Sequence, residues 1–305
     1  MRKSRNVIGA GNVIRGNVIR GKGEGGRGKG KKNLGRLKVE DKRGTPRKRF
    51  GQHFLEPVWV AKLVDAIKPA GDETFLEIGP GRGALTRPLA ARAGRVVAVE
   101  IDRDLAAALV RETIPNLRVV ESDFLELNLE RALHDERRPV RVAGNLPYNV
   151  SSPILFALLK GADGGRFFSD ATLMLQKEVA DRLVATPGRK EYGSLAIQVA
   201  LSADVEHLLT LPPGAFRPPP KVTSAVVRLH FRPRTVDVGD PQVFERIVRG
   251  IFLQRRKTLA NALRPVADAL GHPAAQLLER AGVDGRLRPE ALTLADIARL
   301  SRAVL

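Results

Sequence analysis

The stretch Thr74-Phe-Leu-Glu-Ile-Gly-Pro-Gly-Arg-Gly83 joins a short apolar run to a glycine-rich turn. The run has the length and composition of a buried strand, and a helical pattern follows the turn. Glycines let the backbone approach a ligand closely, with the helix N-terminus behind them. Their positions, 79, 81 and 83, depart from the Gly-x-Gly-x-x-Gly of dinucleotide-binding folds. The stretch therefore predicts a strand–turn–helix unit with a ligand site at the turn.

Strand and helix patterns alternate after this unit. The next strand candidates are Val96–Glu100, Leu117–Glu121, Val140–Ala143 and Thr172–Gln176, with helical stretches near 84–93, 103–112, 128–135 and 152–160. This alternation predicts an α/β fold, a parallel sheet with helices on both faces. The apolar runs Leu195–Leu201 and Ser224–Phe231, which a proline-rich loop separates, are candidates for further strands at one edge.

Helical patterns flank the predicted sheet. Upstream, Pro57 opens a helix and Pro69 stops it, and the apolar face of that helix consists of Val60, Leu63, Val64 and Ile67. After about residue 238 the strand patterns disappear, and apolar residues such as Val243, Ile247 and Ile251 recur at helical spacing. We therefore predict an α/β domain at 47–237 and a small all-helical domain at 238–305.

The positive charge is concentrated at the N-terminus. The chain of 305 residues has a net charge of +19, and residues 1–49 alone carry +14 of it. Residues 1–46 are rich in glycine and lack aromatic side chains, so we predict a disordered basic tail. This charge predicts a polyanionic partner. Nucleic acid is favoured over a membrane surface, because the tail has no amphipathic apolar face.

Composition excludes several classes of protein. The chain has no cysteine, which excludes disulfides and thiolate metal sites and fits a cytoplasmic protein. Its five histidines are scattered along the chain without ligand spacing, so we expect no metal site. No apolar run approaches the length of a membrane span, so we expect no membrane association.

Three polar residues mark the ends of successive predicted strands. They are Glu100, Asp123 and Asn145. In open α/β sheets the ligand lies at the carboxyl ends of the strands, where these three would meet. A carboxylate at Glu100 can accept both hydroxyls of a ribose, and Asp123 is placed to accept from an adenine amino group. The alternative is that the two acids are ordinary helix caps, but three polar residues in register favour a nucleoside-bearing cofactor.

The tetrapeptide Asn145-Leu146-Pro147-Tyr148 suits a flat base that bears an amino group. The base can stack on Tyr148 while its amino group donates to Asn145 and to the neighbouring carbonyl. The alternative for the tetrapeptide alone is an ordinary Asn-x-Pro turn followed by a half-buried tyrosine.

In several segments the chain resembles the ribosomal RNA adenine dimethyltransferases, most closely those of the bacterial small subunit. The matching segments run in family order from residue 47 to the C-terminus: Arg47-Lys-Arg-Phe-Gly-Gln-His-Phe-Leu55, Glu77-Ile-Gly-Pro-Gly81, Val99-Glu-Ile-Asp102, Gly144-Asn-Leu-Pro-Tyr148, Met174-Leu-Gln-Lys-Glu178, Pro212–Val222 and Arg255-Arg-Lys-Thr-Leu259. The resemblance implies a Rossmann-like methyltransferase sheet, with S-adenosylmethionine as cofactor. It also implies dimethylation of two adjacent adenines in a hairpin near the 3′ end of 16S ribosomal RNA, within the small ribosomal subunit.

The resemblance also assigns residues by position. The implied cofactor-binding residues are His53, Leu55, Gly79, Glu100, Asp123 and Asn145. Asn145–Tyr148 would hold the target adenine, and Phe216 is the candidate for stacking on its second face. Arg47–Arg49 and Arg255–Lys257 are candidate contacts to RNA phosphates. We expect a monomer.

Two alternatives remain open at this point. The 23S ribosomal RNA enzymes of macrolide resistance share the cofactor half, although Pro218–Val222 and Arg255–Leu259 favour the small subunit. Related proteins on the same fold act without catalysis as transcription or assembly factors, and intact Asn145–Tyr148 and Glu100 argue for activity.

Overall fold

The computed structural model describes residues 54–304, and the predicted basic tail and His53 lie outside this range. Within it the strands are β1 (Phe54–Leu55), β2 (Thr74–Ile78), β3 (Arg95–Glu100), β4 (Leu117–Glu121), β5 (Val140–Asn145), β6 (Phe168–Gln176), β7 (Ala203–Leu211), β8 (Phe216–Arg217) and β9 (Ser224–Phe231). The helices are α1 (Pro57–Ile67), α2 (Thr86–Ala90), α3 (Arg103–Arg111), α4 (Leu129–Ala132), α5 (Ser151–Gly161), α6 (Lys177–Leu183), α7 (Ser194–Ser202), α8 (Pro241–Leu253), α9 (Leu259–Ala269), α10 (Ala274–Ala281) and α11 (Leu294–Arg302).

Seven strands form one sheet in the order β4-β3-β2-β5-β6-β9-β7. The five strands from β4 to β6 are parallel, and β9 runs antiparallel to both of its neighbours. The predicted α/β fold is confirmed. Because the parallel strands share one carboxyl edge, the residues that follow β2, β3, β4 and β5 are brought to the same place.

Helix α1 forms as its sequence predicts. Pro57 occupies its first turn, where a missing N–H costs nothing, and Lys68 ends it in the left-handed conformation. The four buried side chains of this helix are the predicted ones, Val60, Leu63, Val64 and Ile67. They pack against one face of the sheet with Phe75 and Val96.

The apolar run Leu195–Leu201 is a helix and not a strand, so that prediction was wrong. It lies in α7, where Leu195, Ala196, Ile197, Val199 and Leu201 are all buried. Leu195 and Val199 join the core of the sheet, while Ala196, Ile197 and Leu201 join the core of the C-terminal helices. A helix buried on opposite sides shows no polar stripe, so periodicity alone does not separate it from a buried strand. The edge strand is the following segment, β7, and the predicted strand Ser224–Phe231 is confirmed.

The C-terminal helices α8–α11 enclose their own apolar cluster. Its members include Phe244, Ile247 and Leu263, all with at most 1% of their surface exposed. The hydroxyl of Tyr192 donates to the carbonyl of Leu292 at 2.8 Å, which ties this cluster to the segment before α7. The cluster thus takes in residues upstream of 238, and a separate domain at 238–305 stays a prediction.

Candidate active site

A cavity of about 210 Å³ opens at the carboxyl edge of the parallel strands. The turns after β2, β3, β4 and β5 line it together with β1. It brings together most of the predicted site residues: Leu55, Gly79, Glu100, Asp123, Asn145, Leu146, Pro147 and Tyr148. Their convergence follows from the shared strand direction, since these positions are far apart along the chain.

The turn after β2 depends on glycine at Gly79 and Gly81. Both have positive φ angles, +69° and +58°, which side chains rarely adopt. The N–H of Gly79 donates to the carbonyl of Val99 at 2.9 Å and holds the turn against β3. A Cβ atom added at Gly79 would meet no atom within 4 Å. The turn therefore leaves room beside its backbone for a ligand.

Glu100 is a buried carboxylate that the backbone orients. Its side chain is 5% exposed and accepts hydrogen bonds from the N–H of Gly81 at 2.9 Å and of Asp102 at 2.8 Å. Burial raises the pKa of Glu100, and these backbone hydrogen bonds counteract the rise. Asp102 instead caps α3. Each oxygen of Glu100 keeps acceptor capacity beyond its backbone bond, so the pair can receive two neighbouring hydroxyls.

Asp123 serves partly as a cap. It precedes the short 3₁₀ turn Phe124–Glu126, and its Oδ1 accepts from the N–H of Leu125 at 2.9 Å. The alternative interpretation of Asp123 as a cap thus describes one of its oxygens. Oδ2 accepts no hydrogen bond from residues 54–304, and the side chain lines the cavity.

The segment Asn145–Tyr148 is anchored from both sides. The N–H of Leu146 donates to the carbonyl of Met174 on β6 at 3.2 Å, and the Leu146 side chain is 1% exposed. The hydroxyl of Tyr148 shares a hydrogen bond of 2.6 Å with that of Ser224 on β9. Burial raises the pKa of the Tyr148 hydroxyl above its ordinary value, and the hydrogen bond to Ser224 opposes the rise. This hydrogen bond fixes the aromatic ring at the wall of the cavity.

Phe216 does not line the cavity. It is 1% exposed and belongs to the apolar cluster around α1. It pairs across the short β1–β8 ladder with Leu55, which does line the cavity. In this conformation its ring packs in the core, and its stacking on a base stays a prediction.

Glu77 is a site residue that the sequence did not single out. It lines the cavity, is 2% exposed, and its Oε2 has no hydrogen-bond partner. Burial raises the pKa of Glu77 to about 8, with a smaller contribution from the charge of Glu100, while Thr86 and Arg87 oppose the rise. The available signal was an acid in the last positions of a strand whose other residues are nearly all apolar.

Two exposed apolar side chains also line the cavity. Ile101 is 51% exposed and Leu125 is 43% exposed. They follow Glu100 and Asp123 within two residues along the chain, so each acid has an apolar neighbour. Apolar walls beside a few polar groups are typical of sites for flat ligands.

The three side chains of the basic segment Arg255–Lys257 have different surroundings in the structure. Arg255 donates to the carboxylate of Glu290 at 2.9 Å and to the carbonyl of Lys190 at 3.0 Å, so it joins two loops. Arg256 and Lys257 are exposed and are the members of this segment that can reach a phosphate. Arg47–Arg49 lie outside the described residues.

Two features are absent from residues 54–304, the part of the chain that the structure describes. No group of three or more His, Asp or Glu side chains there is arranged to hold a metal ion. None of the helices in that part is long and apolar enough to cross a membrane.

The sequence matches the family model described as ribosomal RNA adenine dimethylase over residues 44–303. It is 42% identical over 270 residues to ribosomal RNA small subunit methyltransferase A of Acinetobacter baylyi, covering 87% of this chain and 94% of that one. The protein of the same name from Xanthomonas oryzae pv. oryzae is 45% identical over 259 residues, covering 84% and 95%.

Solved structures show the same similarity. A dimethyladenosine transferase from Plasmodium falciparum superposes with a TM-score of 0.67 at 27% identity and covers 81% of this chain and 96% of that one. The 23S rRNA methyltransferase ErmE superposes with a TM-score of 0.56 at 26% identity, covering 82% and 99%.

Proposed function

Because the chain belongs to the ribosomal RNA adenine dimethylase family, we propose that it dimethylates the 6-amino groups of two adjacent adenines in 16S ribosomal RNA, using S-adenosylmethionine. The target is the hairpin near the 3′ end, within the small ribosomal subunit. The observation that carries this proposal is the convergence of Glu100, Asp123 and Asn145–Tyr148 on one cavity beside the glycine turn.

The donor set of the cavity fits a nucleoside-bearing cofactor. The oriented carboxylate of Glu100 suits the ribose hydroxyls, and the free oxygen of Asp123 suits an adenine amino group. The open space beside Gly79 leaves room for the methionine end, and Leu55 adds an apolar wall. When bound, S-adenosylmethionine supplies an electrophilic methyl group.

The protein's part in the reaction is to hold and orient the adenine. The amide of Asn145 and the carbonyl of Leu146 accept hydrogen bonds from the amino group, which draws its lone pair out of the ring. Tyr148 stacks on the base, which must leave its RNA stack to enter the cavity. Orientation of this kind supplies on the order of 7–11 kcal/mol. Methylation leaves an extra proton on the amino nitrogen, which is then a strong acid and loses this proton to water, so no general base is required.

The relatives favour the small subunit over the 23S alternative. The curated proteins at 42–45% identity carry the small-subunit name, whereas the 23S enzyme is a structural neighbour at 26%. The intact Asn145–Tyr148 segment in the cavity supports an enzyme over a non-catalytic factor. We further propose a cytoplasmic monomer that needs no metal ion.

Transfer of tritium from labelled S-adenosylmethionine tests the proposal. Small subunits that lack the two dimethyladenines should accept about four methyl groups each, and large subunits none. The Asn145→Ala variant should bind the small subunit in a filter assay but transfer almost nothing. Labelling of the large subunit, or undiminished transfer by the variant, would contradict the proposal.

A further inference from the structure

A second, larger cavity lies between the sheet and the C-terminal helices. We call it the α5–α8 groove; it has a volume of about 1070 Å³ and is lined by α5, α7, the start of α8 and residues 232–234. Residues 232–234 follow β9, whose last residues pair with the beginning of β6. The groove therefore lies at the amino end of the parallel strands, away from the candidate active site.

Half of the acidic and basic side chains that line the groove are already engaged. Arg166 pairs with Asp163 at 2.8 Å, and Arg232 pairs with Asp204 at 2.9 Å. Asp240 caps α8 by accepting from the N–H of Gln242 at 2.7 Å. These groups add little net charge that a ligand could use.

Three further cations remain available. Lys160, Arg234 and Arg249 are exposed, line the groove, and form no ion pair with any residue between 54 and 304. They come from three elements: α5, the loop after β9, and α8. Glu245 is the one lining acid without an ion pair or cap bond among those residues. The groove thus presents spaced positive charges from both of its walls.

An aromatic ring stands among these cations. Phe156 is 37% exposed and lies on α5, four residues before Lys160. Exposed aromatic rings beside a positively charged groove are the arrangement on which single-stranded nucleic acids bind, with bases stacked and phosphates paired. An acidic peptide would pair with the cations but would not need the ring.

We propose that the α5–α8 groove is a second RNA-binding site, which holds a single-stranded segment by phosphate contacts to Lys160, Arg234 and Arg249 and by stacking on Phe156. The choice of RNA over other polyanions rests on the proposed function. The site would engage a stretch of the ribosomal RNA distant from the modified adenines.

Salt-dependent binding of a fluorescent 12-nucleotide oligouridylate to the full-length protein tests the phosphate contacts. Replacing Lys160, Arg234 and Arg249 with alanine should reduce the slope of log affinity against log salt by about 2, at roughly 0.7 per phosphate contact. The matched control replaces Arg111, Arg131 and Arg137, which lie outside the groove and remove the same charge. If both triple variants behave alike, the proposal fails.

Substitutions of Phe156 test the stacking. Phe156→Tyr should keep the affinity, whereas Phe156→Leu should weaken it about fivefold or more, because leucine keeps apolar area but offers no aromatic face. An unchanged unfolding midpoint and unchanged calorimetric binding of S-adenosylmethionine would show that the variants fold. Equal affinity of the leucine and tyrosine variants would overturn the stacking arrangement.

Two measurements separate this inference from other outcomes. If the groove variant loses poly-glutamate binding but keeps that of oligouridylate, the partner is an acidic protein and the proposal is wrong. Tritium transfer to the small subunit, measured in parallel, tests the proposed reaction separately. An inactive protein whose RNA binding still depends on the groove would disprove the reaction and leave the second site standing.

Discussion

Replacing Glu77 with glutamine should make the protein more stable at neutral pH. The folded protein holds the pKa of Glu77 at about 8, against 4.5 for an exposed glutamate, chiefly because the side chain is buried. A raised pKa means that the folded state binds the proton more tightly than the unfolded chain does. The stability that this proton brings is complete below pH 4.5 and is lost as the pH rises through 8.

The size of the effect follows from the same two values. Each unit of pKa difference corresponds to about 1.4 kcal/mol, so the wild type should lose about 3 kcal/mol by pH 7 and about 5 kcal/mol above pH 8. Glutamine keeps the shape of the protonated side chain and does not titrate. The difference in unfolding free energy between the two proteins should therefore grow with pH and level off above 8.

Urea unfolding at several pH values between about 5 and 9 measures this difference. Trp59, the single tryptophan, packs beside the core of α1 and provides the fluorescence signal. Asp284→Asn is a control without pH dependence over this range, because hydrogen bonds from Arg286 hold the pKa of Asp284 below its ordinary value. The contribution of Asp284 is lost only as the pH falls through that lowered pKa, below the range measured. Parallel pH profiles for wild type and Glu77→Gln would refute the reasoning, since Glu77 would then titrate as an exposed acid.

Substitutions at three other residues and one truncation give distinct results. Glu100→Ala should weaken S-adenosylmethionine binding by about 1.5–3 kcal/mol in calorimetry, the usual cost of a lost charged hydrogen bond, and unchanged affinity would remove Glu100 from the ribose. Tyr148→Phe loses the hydrogen bond to Ser224 but keeps the ring, so methyl transfer should largely survive, whereas Tyr148→Ala should abolish it. Equal activity of the phenylalanine and alanine variants would exclude stacking. Phe216→Ala should cost about 3–5 kcal/mol of stability in urea unfolding because its ring is buried, and a negligible loss would show that the ring is not part of the core. Deleting residues 1–45 should reduce the salt dependence of RNA binding in a filter assay, while primer extension should find the same two adenines modified. A change in the modified adenines would give the tail a role in target recognition.

Local patterns were enough to predict much of the fold. Strands Thr74–Ile78, Leu117–Glu121 and Ser224–Phe231 begin and end where the sequence indicates, because turn-forming residues bound each apolar run. Helix α1 follows from its proline start and its single apolar face. The end of β3 at Glu100 was also predicted, whereas β5 continues two residues beyond the predicted Ala143, to Asn145. A parallel sheet brings such strand ends together at one edge.

Tertiary packing decided what the patterns left ambiguous. The helix that contains Leu195–Leu201 packs against two apolar cores, one on each side. Because apolar residues then cover both sides of the helix, the sequence lacks the one-sided apolar pattern that separates a helix from a buried strand. Phe216 packs in the core around α1 and does not line the cavity, although its partner Leu55 in the β1–β8 ladder does. The raised pKa of Glu77 results chiefly from burial, and the residues that bury this side chain are distant from it in the sequence.

Apart from α7, the sequence by itself determined the order of the strands and helices and the polar residues near the strand ends, because these depend on short-range spacing and residue type. Only the tertiary structure decided which of those residues face a common cavity, which acids act as caps, and which charges stay unpaired in the α5–α8 groove. These properties depend on distances between segments far apart in the chain. Burial and pairing energies arise only when the sheet and the C-terminal helices have packed together.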